Sequence, residues 1–217
     1  MAGHALAALA LLCAAATRAP AEGYPHHFPL HAGNWWAYEE VGDDGTALSR
    51  EIWTVVDAAG GEFHLRSATK RLDVLGRSGG HRWEGHEFLR ATSAGVHKRY
   101  PAGGRDAGVE VTLLEEPVVS GTRWHDAQGE CEASARSRCD GPRGELADCA
   151  ITVCRLGNPT ATIVTSTYAR GVGMVRQEVE VVQFLAALQG ASAMLPCDTA
   201  KGGRSVLRLT AFHVVPP

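Results

Sequence analysis

Any chemistry in this chain would have to come from its cysteines, its histidines, its paired carboxylates and one serine set among glycines. Gly76-Arg77-Ser78-Gly79-Gly80 spells the G-x-S-x-G pattern of a nucleophile elbow, the sharp turn that presents a serine for attack on a carbonyl. An elbow passes straight from strand into helix, whereas His81-Arg82-Trp83 continues here as strand, and neither His31 nor His64 lies in the histidine motif of a trypsin-like site. The segment therefore reads as a hairpin turn, and a hydrolase is the least favoured of three functions.

Metal binding fares no better. His26, His27 and His31 cluster in a proline-bounded segment, while His81 and His86 bracket Glu84. Residues five apart on a strand face opposite sides, so His81 and His86 cannot share an ion without a bulge. The carboxylates at Glu39-Glu40, Glu115-Glu116, Glu178 and Glu180 suit solvated strand edges. Gly171-Val172-Gly173 lacks the third glycine and following helix of a dinucleotide loop, and reads as a strand start with close backbone approach. No metal, cofactor or catalytic residue is expected.

The cysteines carry a clearer message. Cys131, Cys139, Cys149, Cys154 and Cys197 are disulfide candidates, and their long, uneven gaps do not fit the ligand spacing of zinc. Such bridges belong to oxidising compartments. Cys149 and Cys154 should enter one strand together, on opposite faces and roughly 16 Å apart, well beyond the ~7 Å reach of a bridge. One of them is expected to reach back to Cys131 or Cys139, leaving one cysteine of the five without an intramolecular partner.

Export is also written at the start. Residues 5–16 are apolar and alanine-rich, and Ala19-Pro20-Ala21 is a small-x-small cleavage pattern, which predicts a signal peptide over 1–21 and a mature domain over 22–217. The leader has no Lys or Arg before its apolar run, and that run is too short to span a bilayer as a helix. Leu12 directly before Cys13 is the wrong residue for lipid attachment there. Of 21 cations and 24 acids in the whole chain, the leader removes only Arg18, so the mature net charge is −4. With its basic residues scattered, the chain has no sequence signature of a nucleic-acid partner.

The elements that must carry these residues are strands. Phe63 and Leu65 alternate with His64 and Arg66; Val109, Val111 and Leu113 alternate with Glu110 and Thr112; Leu207, Leu209 and Ala211 alternate with Arg208 and Thr210. Further strands are expected at 35–41, 51–56, 81–89, 96–100, 151–156, 160–168 and 172–182, separated by glycine-rich turns. The prediction is an all-β, mainly antiparallel curved meander, closing as a half-barrel, barrel or sandwich. Two segments fall outside that pattern: a cysteine-rich insertion at 130–148, which allows a helical turn over Glu132 to Arg138, and a short helix or packed loop over Phe184 to Leu195.

Three stretches carry a resemblance. Phe28-Pro29-Leu30-His31-Ala32-Gly33-Asn34-Trp35-Trp36-Ala37-Tyr38 resembles the mature start of many exported bacterial proteins and lipoproteins. Tyr168-Ala169-Arg170-Gly171-Val172-Gly173-Met174-Val175 is similar to a late element of the same group, and Glu116-Pro117 leading to Gly121-Thr122-Arg123-Trp124 to a middle one. The resemblance implies a curved β-sheet envelope protein and carries over no catalytic residue.

The expected function is thus a non-catalytic binding module, periplasmic or extracellular, for an apolar small molecule or an envelope protein. A structural or assembly protein of the envelope is the alternative. Trp36 and Tyr38 are expected in the core or at its rim, and are the candidates for ligand contact if the inner face holds one.

Overall fold

The computed structural model describes residues 27–59, 62–72, 78–100, 108–127, 129–157, 162–181 and 203–215. The predicted leader, Cys197 and the 184–195 segment lie outside the described residues.

Among the described residues the chain forms twelve strands and no helix: β1 (Trp35–Gly42), β2 (Ala47–Ala59), β3 (Glu62–Leu72), β4 (Ser78–Thr92), β5 (Gly95–Arg99), β6 (Glu110–Glu115), β7 (Arg123–His125), β8 (Gly129–Gly141), β9 (Gly144–Leu156), β10 (Thr162–Ala169), β11 (Gly173–Val181) and β12 (Arg204–His213). All belong to one open antiparallel sheet, ordered β6-β5-β4-β3-β2-β1-β12-β11-β10-β9-β8-β7. Neighbours in the sheet are neighbours in sequence except where β1 pairs with β12, so the first and last strands meet at the centre. This local connectivity follows from turns such as Gly42–Thr46, where the Gly45 amide donates to the Gly42 carbonyl and the Thr46 amide to Asp44.

The sheet curls. Leu89, Val96 and Leu114 from the β4 to β6 side share one buried cluster with Tyr168, Ala150 and Met174 from β9 to β11, which a flat sheet could not bring together. Its two edges, β6 and β7, do not pair as strands. They meet through side chains: Asp126 accepts from the Thr112 amide at 3.0 Å, and the Trp124 indole donates to the Thr112 carbonyl at 3.2 Å. One residue of an otherwise exposed edge is thereby satisfied on both its backbone groups, which is how an edge avoids acting as a template for further strands.

The segment 130–148 is where the sequence reading needs correction. It is neither an insertion outside the strand pattern nor a helical turn: it is most of the β8–β9 hairpin, paired from Gly129↔Leu156 to Gly141↔Gly144. Its alternation is disguised because the inward residues are small, Cys131 and Ala133 being buried, while Glu130 and Arg136 point out. Strand β7, three residues long, carries no periodicity to read.

Two disulfides staple this hairpin. Cys131 and Cys154 are register partners with Cα atoms 4.0 Å apart, and Cys139 links to Cys149 across 6.1 Å. The second link is diagonal, and Asp148 makes it reachable. Asp148 has φ 53°, in the left-handed region, and both Cys149 and Ala150 beyond it are buried, so the strand's inside–outside alternation is reset at that point.

Candidate functional site

Two of the three stretches that resemble exported proteins, 28–38 and 168–175, pack directly against each other. Trp36 is 0% exposed and Tyr38 1%. The Trp36 indole donates to the Val172 carbonyl at 2.6 Å, and the Tyr38 hydroxyl to the Met174 carbonyl at 3.0 Å. Phe28 stacks on Trp36 and meets Tyr168 edge-on. Gly173, at φ 106°, has no room for a Cβ, which would lie 2.9 Å from the Trp36 indole nitrogen. Burial holds the Tyr168 hydroxyl protonated, its pKa raised to about 12, and pushes Tyr38 well up too, with Tyr168 and Glu51 adding to the effect. These aromatic side chains are packed and hydrogen-bonded, with no surface open to a ligand.

The amino-terminal segment is held by further bonds. The Asn34 side chain donates to the Pro29 carbonyl and accepts from the Val215 amide, joining both ends of the described chain. His27, 3% exposed, takes Glu116 at 2.8 Å from Nδ1, while its backbone amide also donates to Glu116. Its Nε2 lies 3.5 Å from Asp148, too long for a hydrogen bond, and is a buried nitrogen without one. Asp148 in turn pairs with Arg170. A Glu–His pair of this kind can orient an imidazole for proton transfer, but a nitrogen with no solvent access cannot reach a substrate. Here the cluster fastens the amino-terminal segment to the connection between β6 and β7.

The other sequence candidates are dispersed. Ser78 opens β4 as a strand residue, and Gly76 and Arg77 lie outside the described residues, as does His26. His86 meets His64 across β3 and β4 at 2.9 Å, and the His64 ring stacks on Phe88; the His81 side chain is outside the described set. Among the described residues no group of three or more metal-ligating side chains is assembled. Glu39 pairs with Arg50, Glu40 accepts from Ser49, and Glu178 takes both Arg204 and Arg176. The Arg204 guanidinium chiefly, with Arg176 beside it, holds the Glu178 carboxyl below the usual carboxylate range.

A feature that sequence reasoning missed lies on the outer face. There the distal part of β8 and the outer surface of β9 to β12 enclose a groove of about 480 Å³. Its walls carry Arg136 and Arg138 from β8, Arg176 from β11 and Arg208 from β12, with Asp140 the only acid among the described lining residues. Ile151, Thr167, Val175 and Leu209 contribute to the remaining surface. All four arginines are exposed. Strand alternation places Arg176 and Arg208 outward because their neighbours Gln177 and Leu207, paired across β11 and β12, occupy the inner face. The Cys139–Cys149 bridge fixes the β8 wall to β9.

No family model and no curated protein matches this chain. Two solved structures resemble it in shape. A protein provisionally described as exported, with a YmcC-like fold, from Bacteroides fragilis matches with TM-score 0.47 at 11% identity, over 87% of this chain and 99% of its own. A protein provisionally described as a lipoprotein from Parabacteroides distasonis matches with TM-score 0.40 at 10% identity, over 88% of this chain and 100% of its own.

Proposed function

We propose that this chain is an exported, non-catalytic binding protein of a bacterial envelope, and that it holds its partner in the outer-face groove beside the Cys139–Cys149 bridge. The observation that carries the reading is the groove itself: a concavity of about 480 Å³ whose one wall is covalently fastened to the sheet. A wall fixed in place before binding has little conformational entropy left to lose when a partner arrives. The apolar run at 5–16, the Ala19-Pro20-Ala21 pattern and the two disulfides support export.

An apolar ligand on the inner face has less behind it. That face is filled by Trp36, Tyr38, Leu65, Leu89, Leu114 and Tyr168 packed in one cluster. Where it turns polar its groups answer each other, Glu40 with Ser49, Glu51 with the Trp53 indole, and Gln177 with Ser166.

Site-directed photo-crosslinking tests the reading. A benzoylphenylalanine placed at Thr167, inside the groove, should give a discrete adduct in an exporting host, and the same group at the exposed Arg66 of β3 should not. Equal labelling at both positions, or none at Thr167, would overturn the assignment of the groove as the binding surface.

A further inference from the structure

The groove's charge pattern names the chemistry of its occupant. Among the described residues, four arginines and one acid, Asp140, line the concavity, although the whole chain carries a net charge of −3. Two of the four already have counter-ions at the rim: Arg138 bonds Glu145 at 2.6 Å, and Arg176 bonds Glu178 at 3.0 Å. Arg136 and Arg208 make no ion pair among the described residues. Arg208 stands between Arg176 on β11 and Glu39 on β1 in the sheet register, and Glu39 is itself paired with Arg50. A bound anion would offset the like-charge contact between the two arginines.

The residue type narrows the anion. A guanidinium presents a planar fork of donors matched to two oxygens of a phosphate or similar oxyanion. Four such forks around a space of this size suit a ligand carrying at least two phosphate oxyanions on a compact body. Ile151, Val175 and Leu209 also line the groove, Val175 and Leu209 as buried members of the core, so its floor is rigid while its four arginines stay exposed. We infer that the groove is a phosphate-binding site, with Arg136 and Arg208 as its principal anchors. The inference rests on the binding reading above and specifies its ligand class; the phosphate groups could belong to a free phosphorylated molecule or to a lipid headgroup.

The test uses the full mature chain with its disulfides intact, in two arms. Calorimetry with pyrophosphate and with inositol hexakisphosphate addresses a soluble ligand. Co-sedimentation with vesicles containing phosphatidic acid, against phosphatidylcholine alone, addresses a headgroup. Binding in either arm should fall more than tenfold in the Arg136→Gln/Arg208→Gln variant and by less than twofold in Arg66→Gln, and should weaken as salt rises. Exposed arginine-to-glutamine changes leave the core intact, so circular dichroism of both variants should match the parent. No binding in either arm at low salt, or equal binding by the double variant, would overturn the phosphate assignment. The Thr167 crosslink would survive that result if the groove binds an uncharged partner, and would be absent if the groove binds nothing.

Discussion

Replacing Gly173 by alanine should destabilise this protein more than the size of one methyl group suggests, and the structure separates the cost into two parts. At φ 106° an L-residue is strained, which costs on the order of 1–2 kcal/mol. The new Cβ would also sit 2.9 Å from the Trp36 indole nitrogen and 3.2 Å from the adjoining ring carbon. The ring cannot simply step aside, because its nitrogen donates to Val172 at 2.6 Å and its face stacks on Phe28. Overpacking of that kind costs about 1–3 kcal/mol, for a total of roughly 2–5 kcal/mol and a midpoint lowered by about 10 °C in a chain of this length. Gly171, two residues away at φ 69°, supplies the control, because a methyl group there would meet nothing within 4 Å. Its alanine variant should lose only the backbone part, about 1 kcal/mol. Urea unfolding followed by tryptophan fluorescence measures both, and a cycle with Trp36→Phe isolates the steric part, since phenylalanine lacks the crowded nitrogen. Equal losses at Gly171 and Gly173, or no coupling with Trp36→Phe, would refute the idea that the glycine exists to admit the indole.

Two further outcomes follow from the same structure. Replacing both cysteines of the Cys131–Cys154 bridge, which closes a 23-residue separation, should cost about 3 kcal/mol; replacing Cys139 and Cys149, 10 residues apart, should cost somewhat less, and the two bridges together less than the sum because one loop lies inside the other. Denaturant midpoints of the oxidised chain check this. Alkali should unfold the protein in a defined window: the Tyr168 hydroxyl ionises near pH 10 when unfolded but only at about 12 when folded. The native state therefore holds the extra proton between those values, so its share of stability, about 3 kcal/mol, is intact below pH 10 and lost as pH climbs to 12. In a Tyr168→Phe variant the fall in unfolding free energy across that window should be shallower, and an unchanged slope would count against burial as its cause.

Much of the sheet could be read from the sequence because most strands obey a period of two with large apolar residues on one side, as at Phe63 and Leu65 or Val111. Strand β8 escaped because its buried residues, Cys131 and Ala133, are small and stand among Gly, Ser, Arg and Asp residues typical of a loop. Trp36 and Tyr38 were recognisable as important, yet whether an alternating aromatic pair lines a pocket or fills a core depends on what lies opposite. Here that is the Val172 and Met174 carbonyls, each 136 positions away along the chain. The Gly171-Val172-Gly173 stretch signalled close approach but not the partner. The groove was hidden for a related reason: Arg136, Arg138, Arg176 and Arg208 are each unremarkable in sequence. They face one space only because β8 through β12 lie side by side and Asp148 resets the face of β9.

Whether the groove holds a ligand is tested most directly by native mass spectrometry of the mature chain, purified from an oxidising compartment without reduction, beside a Thr167→Trp variant that fills the groove. The expected result is a retained mass on the parent that denaturation removes and that the variant lacks. A parent that carries no ligand even when supplied with an envelope extract, or a ligand retained equally by the variant, would contradict the binding role.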